Sequence, residues 1–535
     1  MTRVAAAQFA VGTDVANNLA TCVRMIDAAA ETGAELVVLP EFCNHLSWYD
    51  DRAHAHRMAC ELGDSFLSTI AARAAHHGVF VKIGVTLAHA HGRTTGASLL
   101  FGPGGELLGR ADKQILMGAE NDYLDAGRQD SPIIETALGR IGMYACMEGV
   151  VNEVTRSLAV RGAQVLLNSL NSFAVDEAAL HIPVRAAENK VWVIAANKVG
   201  PLLPADRLPE IAARLGVPPD RLDGAGESQI VAPDGSRVAV APPRGEAVVV
   251  ADIEIARADD KRRPDGTDVL AARRPELYRP LLATPAAPRA EPGAEAVTAA
   301  VALPDPDIVR TLATAGADLI VLPELAAIPV PELADALRGT TAYAVTTVRE
   351  GVAHHGLLVH ADGVVARQPQ LHPTARHPWP AAPGSTLTVV ELPWGRIALV
   401  VGDDALFPET FRLAAIQDAE VVAVSHTPAE AWETSLGLPE RAAENRLNVV
   451  AAGTGRDGAL SGGIYALSPD FTLWTAWQGP FAGVISHPDI TAVPAGGTGV
   501  RARIRPAQAA NRLVSRGTDL VADRPRRPFD SVPVS

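Results

Sequence analysis

Three residues with complementary chemistry each follow a strand-like run of apolar residues. Cys146 comes directly after the run at 140–145, and Glu41 follows the run at 36–40. Lys113 follows a run that begins after a glycine-rich turn. A cysteine thiolate attacks an amide carbonyl or nitrile carbon once a nearby base has taken its proton. A fixed ammonium group can stabilise the resulting oxyanion, so the combination indicates nucleophilic catalysis.

Taken singly, each of these residues also has a structural explanation. A lone cysteine at the end of a strand is most often a small buried hydrophobic residue. A glutamate after a strand is commonly a solvated loop residue, and Lys113 beside Asp112 is compatible with a surface ion pair that contributes little stability. The catalytic interpretation therefore depends on the three residues meeting in one place.

The elements that would position these residues alternate between strand-like and helix-like patterns. Buried apolar strands that alternate with helices are typical of an α/β fold, in which functional groups collect on loops at strand ends. We expect strands at 4–9, 36–39, 79–86, 98–101 and 107–110, the last two forming a hairpin across the turn at 102–105, and helices at 18–32 and 64–77.

The sequence also repeats itself at long range. Four blocks recur in the same order, which indicates a duplicated domain rather than a short-period repeat. In the later copy the sulfur of Cys146 has no counterpart. The matched blocks are 36–41 with 319–324, 140–149 with 396–404, 185–189 with 441–445, and 266–269 with 517–520.

Length and composition agree with two domains. The 535 residues are 48% hydrophobic and 20% charged, which is enough to bury two sizeable cores without disulfide bonds. Prolines and small residues near 283–295 cannot form an apolar face and are typical of a linker. We therefore predict a catalytic domain at 1–282, a linker at 283–295 and a degenerate, inactive domain at 296–535.

Charge and hydropathy restrict the partners. The net charge of −14 and the absence of a long basic run argue against nucleic-acid binding. No stretch of about twenty apolar residues occurs, so no membrane span is expected. The first three residues lead into a short strand rather than a secretory signal, and we expect a cytoplasmic location.

Cysteine and histidine spacing predicts neither a disulfide framework nor a metal. The four cysteines lie in the first copy without paired spacing, so we expect them to be reduced. His76–His77 and His354–His355 each precede a glycine, and we interpret both pairs as helix-end histidines, because cationic side chains suit helix C-termini. The sequence thus predicts no metal and no cofactor.

Taken together, these motifs resemble the nitrilase superfamily of carbon–nitrogen hydrolases, in duplicate and over nearly all of both copies. The family's catalytic Glu, Lys and Cys correspond here to Glu41, Lys113 and Cys146. A second family Glu maps to Glu120, which opens a family-like loop at 120–127. Further support comes from 185–189, which leads into the family-like run at 195–200. The resemblance implies two tandem four-layer α-β-β-α sandwich domains.

The resemblance also implies a mechanism. Glu41 would accept the thiol proton of Cys146, and Lys113 together with a backbone N–H, such as that of Met147, would stabilise the oxyanion. Glu120 would orient Lys113 or the leaving group. The thioester formed after ammonia or an amine departs would then be hydrolysed by water that Glu41 activates.

Two departures from the family pattern affect the substrate class. Ile115 stands where the family usually has a His, and Met147 replaces the usual aromatic residue after the Cys. We favour an amide or ureido (N-carbamoyl) substrate, with a nitrile as the alternative. A thioester-based acyltransferase and a non-catalytic binding protein also remain open.

Pocket-lining residues are predicted from the loops beside the catalytic group. His181 could face the pocket or cap its helix, and the proline-rich insertion at 201–223 could act as a lid or be peripheral. The predicted substrate-binding residues are Tyr49, Met147, Asn168, Asn171 and His181, and further candidates by position are Phe42, Asn44, His45, Trp48 and Phe173.

The second copy keeps only part of the catalytic set. Glu324 corresponds to Glu41, but Gln370 occupies the Lys position and Gly402 the Cys position. We therefore expect an inactive domain. Since family members associate through the face near the active site, the second copy would supply a partner surface as an intramolecular pseudo-dimer. The sequence leaves open whether the chain forms a further homo-oligomer.

Overall fold

The computed structural model of the protein describes residues 1–284, 291–377, 379, 382–455, 458–468 and 483–526. The first half alternates strands and helices. Its strands are β1 (Thr2–Gln8), β2 (Leu36–Val38), β3 (Phe80–Ala88), β4 (Thr94–Phe101), β5 (Leu107–Asp112), β6 (Ile134–Thr136), β7 (Gly139–Ala145), β8 (Val165–Ser169), β9 (Trp192–Ala196), β10 (Val199–Pro201), β11 (Asp223–Ala225), β12 (Gln229–Val231), β13 (Arg237–Val240) and β14 (Ala247–Ile253). Its helices are α1 (Val15–Glu31), α2 (Arg52–Met58), α3 (Ser65–His77), α4 (Glu120–Tyr123), α5 (Glu153–Val160), α6 (Ile182–Asn189) and α7 (Leu208–Leu215).

The second half repeats this arrangement with fewer helices among its described residues. Its strands are β15 (Val297–Ala302), β16 (Leu319–Val321), β17 (Tyr343–Glu350), β18 (Ala353–His360), β19 (Gly363–Pro369), β20 (Val389–Leu392), β21 (Gly395–Val401), β22 (Val421–His426), β23 (Asn448–Thr454), β24 (Leu460–Ala466), β25 (Asp489–Ala492), β26 (Gly499–Ile504), β27 (Leu513–Ser515) and β28 (Thr518–Asp519). Its helices are α8 (Pro306–Thr314), α9 (Val330–Ala336), α10 (Pro408–Ile416) and α11 (Leu438–Asn445).

Each half contains two six-stranded sheets with the same strand order. The first sheet is ordered β14-β1-β2-β3-β4-β5, and its counterpart is ordered β26-β15-β16-β17-β18-β19. The second sheet is ordered β13-β12-β9-β8-β7-β6, and its counterpart β25-β24-β23-β22-β21-β20. The duplication seen in four sequence blocks therefore extends to the whole architecture.

The apolar side chains define four layers in each half. In the first half, Val38 of one sheet and Met143 of the other share a buried cluster between the sheets. The outer face of the first sheet packs on α1 and α3 through Ile26 and Ile70. The second sheet packs on α5 and α6 through a cluster that includes Leu158. Equivalent clusters occur in the second half, which confirms the predicted α-β-β-α sandwiches.

The predicted first-half elements are confirmed, with shifts at their ends. Helix α1 begins earlier than predicted because the Asp14 side chain accepts hydrogen bonds from the backbone N–H groups of Ala16 and Asn17. Helix α3 ends before Gly78, whose φ of 65° is the left-handed conformation that glycine adopts readily. Strand β4 begins at Thr94, before the predicted position, because it pairs along the whole of β3.

The prediction that His354 and His355 end a helix is wrong. Both lie in β18, which pairs with β17 and β19, and strand alternation buries His354 while His355 is partly exposed. The glycine that follows was misread as a helix stop. A Cβ at Gly356 would lie 2.7 Å from a methyl group of Val401, so this glycine permits close packing of the two sheets.

The closing arm of each half crosses to the other half. Residues Pro275–Leu282 form 3₁₀ turns whose side chains Tyr278 and Leu281 join a core cluster of the second half. Val514 and Leu520, near the end of the chain, join a core cluster of the first half. Each apolar core is therefore completed by residues from the other copy.

The crossing arms bear on the predicted division of the chain into 1–282, 283–295 and 296–535. That division remains a prediction, and the part of its linker at 285–290 lies outside the described residues. Tyr278 belongs to the first copy in the sequence, but its side chain packs in a core of the second half. The end of the first repeat in the sequence therefore differs from the end of the first folded half.

Buried ion pairs also join the halves, and they occur reciprocally. Arg156 Nε lies 3.0 Å from Glu409 Oε1, and Arg412 Nε lies 2.8 Å from Glu153 Oε1. Arg412 and Glu409 are the counterparts of Arg156 and Glu153 in the repeat. Each half supplies the arginine of one ion pair and the glutamate of the other, as the two subunits do at a two-fold dimer interface.

Arg185 is the centre of a larger buried network between the halves. Its guanidinium lies 2.7 Å from Glu188 of its own helix and 2.8 Å from Glu444 of α11. It also contacts Glu440, and Arg441 of α11 contacts Glu188 in return. All of these side chains are almost fully buried, so the charges compensate one another rather than being solvated.

No helix among the described residues is both long enough and apolar enough to span a bilayer.

Candidate active site

The three residues singled out from the sequence follow strands of the two facing sheets of the first half. Glu41 follows β2 after Leu39 and Pro40, and Lys113 follows β5 directly. Cys146 follows β7, which belongs to the other sheet. The sandwich brings these strand ends together, because the two sheets pack face to face through the apolar layer described above.

Lys113 lies between two carboxylates. Its Nζ is 2.9 Å from Glu41 Oε1 and 2.8 Å from Glu120 Oε2. It also donates a hydrogen bond to Glu120 Oε1 at 2.9 Å. Lys113 is 1% exposed and Glu41 2% exposed, so the ion cluster is shielded from water. Shielding strengthens each of these charge interactions.

Burial and charge act in opposite directions on this cluster. Burial raises the pKa of Glu41 above its ordinary value, and Lys113 opposes that effect. Burial alone would lower the pKa of Lys113, but Glu120 and Glu41 raise it well above its ordinary value. Burial and the charge of Glu41 raise the pKa of the Cys146 thiol well above its ordinary value. The thiol is therefore neutral at rest and needs a base to become a nucleophile.

Cys146 is held in a strained backbone conformation. Its φ is 47°, a left-handed value that non-glycine residues rarely adopt. The Cys146 backbone N–H donates a hydrogen bond to Asn168 Oδ1 at 3.1 Å, and Asn168 lies on the neighbouring strand β8. Such strain is typical of functional sites, because surrounding contacts must maintain it. At the equivalent position Gly402 has a φ of 56°, where glycine carries no such cost.

A small cavity opens onto Cys146 and Glu120. Its volume is ≈ 110 Å³, and its polar walls include Asn171. Leu202 and Leu222, from the insertion at 201–223, are among its lining residues, so that segment lies beside the candidate site. The remaining lining residues are Ser47, Trp48, Met117, Gly118, Ala119, Phe173 and Leu203.

The other predicted substrate-binding residues occupy different places. Tyr49 is buried and its hydroxyl lies 2.8 Å from Thr86 Oγ1. Met147 is fully buried in the core cluster beside α5. Asn168 contacts the backbone of Cys146, as described above. None of the three belongs to the residues that line the described cavity.

His181 is placed away from the cavity. Its Nδ1 lies 2.8 Å from Glu440 of the second half, and its Nε2 lies 3.4 Å from Asp176. Two carboxylates raise the pKa of His181 well above its ordinary value, against the effect of burial. His181 therefore belongs to the contact between the halves, which the repeat pattern alone could not indicate because its partner is 259 residues away.

Two buried acids near Cys146 were not singled out as site residues. Glu148 accepts hydrogen bonds at 2.7 Å from the backbone N–H groups of Gln114 and Ala145, and so ties the Lys113 loop to the Cys146 strand. Glu177 Oε1 lies 3.9 Å from Cys146 Sγ. Burial raises the pKa of Glu148 to about 7 and that of Glu177 to about 8. An acidic residue recurs at both positions in the second copy, as Asp404 and Glu433, and this recurrence is the sequence signal that could have identified the two acids.

The second half supports the loop that carries Glu120. Ser515 Oγ accepts a hydrogen bond from the Gly118 backbone N–H at 2.8 Å. Thr518 Oγ1 donates one to the Leu116 carbonyl at 2.7 Å. The crossing arm therefore contacts the candidate active site of the first half directly.

Comparison with known proteins identifies the family. The family model described as "Carbon-nitrogen hydrolase" matches residues 3–263. The chain is 26% identical to a nitrilase of Pyrococcus abyssi, over 49% of this chain and 92% of that protein. It is 26% identical to an N-carbamoylputrescine amidase of Solanum tuberosum, over 52% and 94%.

Two further relatives also match about half of the chain. A Pseudomonas protegens protein described as "Hydrolase in pqqF 5'region" is 30% identical, over 50% of this chain and 86% of that protein. A solved amidase of Nesterenkonia AN1 is 22% identical with a TM-score of 0.44, over 52% of this chain and 96% of that chain. The protein belongs to the carbon–nitrogen hydrolase family, the nitrilase superfamily, and is a carbon–nitrogen hydrolase.

Proposed function

We propose that the protein hydrolyses a small amide through a thioester on Cys146. The observation that carries this proposal is the buried Glu41–Lys113–Glu120 cluster beside a cavity that contains Cys146 and Glu120. A carboxylate base, a cation and a thiol are the groups that acyl transfer from an amide requires.

The steps follow from the proposed roles. Glu41 accepts the Sγ proton as Cys146 attacks the carbonyl carbon, and Lys113 with the Met147 backbone N–H stabilises the oxyanion. The C–N bond then breaks, and the protonated Glu41 returns its proton to the departing ammonia or amine. Glu41 next activates a water molecule that attacks the thioester, which releases the acid and restores the thiol. Glu120 holds Lys113 in place throughout.

The cavity supports a small substrate without a carboxylate. A volume of ≈ 110 Å³ accommodates a ligand of only a few heavy atoms, less than the cavities that drug-sized ligands occupy. Its described lining residues include no Lys or Arg that would pair with a substrate carboxylate. A simple aliphatic amide, or the N-carbamoyl derivative of a small amine, fits these walls better than an N-carbamoyl amino acid.

Ammonia release from a substrate panel tests the proposal. The panel contains simple aliphatic amides, N-carbamoyl amines, N-carbamoyl amino acids and nitriles. We expect the aliphatic amides to have the highest kcat/KM. If nitriles are turned over faster than amides, the substrate is a nitrile and the proposed amide substrate is wrong. Release of product only when hydroxylamine or another amine acceptor is added would instead identify an acyltransferase.

The second half is proposed to support this site rather than to repeat its chemistry. It retains Glu324 but has Gln370 and Gly402 in place of Lys113 and Cys146. Without a thiol and an ammonium group, it cannot form a thioester by the same route. The reciprocal ion pairs and the crossing arms support its role as the partner in an intramolecular pseudo-dimer.

The pH dependence of hydrolysis tests the role of Glu41. A general base must be deprotonated, so kcat/KM falls as the pH drops through the pKa of Glu41. Because burial raises that pKa, we expect the acid limb to lie above the ordinary value of 4.5. Glu41→Gln removes the base and is expected to lower kcat/KM by about 10²–10⁴-fold. Both effects are measured by initial rates across a pH series.

The matched control is Glu135→Gln, which makes the same chemical change at an exposed position in β6. Its profile is expected to coincide with that of the wild type. An acid limb at or below the ordinary glutamate range, or nearly full activity of Glu41→Gln, would remove Glu41 from the role of base.

Asn168 is expected to act as a positioning residue. Asn168→Ala removes the acceptor for the Cys146 backbone N–H, so the strained conformation loses a support. A displaced nucleophile is expected to lower kcat by about 10²-fold with little change in KM. Steady-state kinetics give both parameters, and Asn17→Ala, on the exposed face of α1, is the control. A change confined to KM would contradict the positioning role.

A further inference from the structure

In the second half, a separate cluster of ionisable side chains occupies the place of the candidate active site. Glu324 follows β16 as Glu41 follows β2. Gly402 follows β21 as Cys146 follows β7, with the same left-handed backbone. The retained carboxylate fills the place of the missing side chain, because a Cβ at Gly402 would lie 2.4 Å from Glu324 Oε1. The glycine therefore allows the Glu324 carboxylate to lie directly against the backbone at this position.

The imidazole of His354 has no counterpart in the first half. The backbone N–H of Gln370 donates to the carbonyl of His354, as the N–H of Lys113 donates to the carbonyl of Gly96, both at 2.8 Å. His354 thus stands where the first half has a glycine. Loss of the catalytic side chains does not by itself require a histidine at this position.

A second imidazole replaces a carboxylate. His377 lies seven residues after Gln370, as Glu120 lies seven residues after Lys113. The second site therefore keeps one carboxylate, loses the thiol and the lysine, and gains two histidines. Their chemistry suits metal coordination rather than acyl transfer.

The three side chains point at one another. Glu324 Oε1 lies 3.8 Å from His354 Nε2 and 3.6 Å from His377 Nδ1. The three ligand atoms all lie within 4.8 Å of one another. The side chains of Glu324 and His354 are at most 1% exposed, and His377 is 6% exposed. His354 Nε2 and His377 Nδ1 have no hydrogen-bond partner among the described residues.

The outer contacts of His354 are those of a metal ligand. Its Nδ1 lies 2.8 Å from Gln370 Oε1, and the Gln370 amide nitrogen donates to the His372 carbonyl at 2.8 Å. Gln370 Oε1 is therefore the acceptor, so His354 carries its proton on Nδ1 and presents the Nε2 lone pair to Glu324. Metal-bound histidines are oriented in this way by an acceptor on the far nitrogen.

We propose that Glu324, His354 and His377 bind a divalent transition-metal ion of the zinc type. Zinc–ligand bonds of about 2.0–2.1 Å in a tetrahedron place ligand atoms roughly 3.4 Å apart, so the 3.8 Å and 3.6 Å distances from Glu324 Oε1 to the two imidazoles need to shorten only slightly. Two imidazoles and one carboxylate are a zinc ligand set, in which water or another ligand would complete the tetrahedron.

The surrounding charges are compatible with this ion. Arg376 Nη1 lies 2.8 Å from Glu324 Oε2, and Arg376 Nη2 donates a longer hydrogen bond to Oε1 at 3.3 Å, so the arginine holds the carboxylate beside the histidines. Asp403 lies 2.9 Å from Arg376 and 3.1 Å from Arg263, so the two arginines are held by carboxylates.

Zinc binding by the full-length protein tests the proposal. The protein is stripped with a chelator, incubated with zinc sulfate, passed through a desalting column and analysed for zinc. We expect about one zinc per chain to be retained. Cobalt substitution should give the intense visible absorption of a tetrahedral site without a thiolate charge-transfer band. Cys146→Ala should retain the same amount of zinc, which excludes the thiol of the first half as the binding site.

Variants locate the site. His377→Ala and His354→Ala are expected to retain no stoichiometric zinc, whereas His355→Ala, on the opposite face of the same strand, should match the wild type. Gln370→Ala should weaken binding by about 10–100-fold. Glu324→Gln, which preserves side-chain volume, provides a second ligand variant if a histidine variant does not fold. The proposal is overturned if the wild type retains no zinc, or if the ligand variants retain as much zinc as the wild type.

Discussion

Replacing Cys146 with alanine is expected to abolish hydrolysis, with a loss of at least about 10⁴-fold in kcat/KM. The proposed reaction passes through a thioester, and the methyl group of alanine cannot form one. The thiol is buried beside Glu41 and Lys113, and burial raises its pKa well above its ordinary value. Ammonia release under initial-rate conditions measures the effect, and mass spectrometry of the wild type trapped with substrate should show the acyl adduct.

Cys60→Ala is the matched control for this experiment. Cys60 is equally buried and belongs to the first half, but it lies in the outer core cluster rather than in the cavity. Its variant should retain activity. Cys146→Ala should keep the denaturation midpoint of the wild type, because the cavity already borders this side chain. Activity of Cys146→Ala within about tenfold of the wild type would refute covalent catalysis by this residue.

Replacing Arg185 with methionine is expected to destabilise the protein by about 3–5 kcal/mol. The guanidinium lies against Glu188, Glu440 and Glu444, and its side chain is fully buried. Its removal leaves carboxylates buried without full compensation, which costs more than the pair contributes. Urea denaturation followed by fluorescence gives the change in midpoint and in the free energy of unfolding.

The same variant connects stability with the proposed pseudo-dimer. Since Arg185 joins α6 to α11 across the halves, loosening this contact should also reduce hydrolysis at the first site. Arg3→Met is the control, because Arg3 pairs with Asp252 at the surface and should have no resolvable effect. An unchanged midpoint for Arg185→Met would show that the network does not hold the halves together. Intact activity in a destabilised variant would show that the contact stabilises the fold without supporting hydrolysis at the first site.

The sequence was most informative where a local pattern fixes the result. Glu41, Lys113 and Cys146 each follow an apolar run, and a strand end is determined by residues that are close in the chain. The same holds for the end of α3, whose cap Gly78 is local, whereas the start of α1 is predicted too late because its cap, Asp14, is not part of the prediction. Gly356 was misread because its role is contact with Val401, 45 positions further along the chain, rather than termination of a helix.

The sequence by itself determined the duplication, the α/β class and the residues that could carry acyl transfer, because repeats, apolar periodicity and strand-end motifs are all local or self-similar. The four-layer sandwich was predicted only through the resemblance to the family. Only the tertiary structure decided which buried charges share a site. His181 contacts Glu440, Glu177 contacts Cys146, and His354 and His377 meet at Glu324, each across a distance that sequence spacing does not encode. These contacts matter because the side chains are buried: a charge removed from water destabilises the protein unless a partner in the folded chain compensates it.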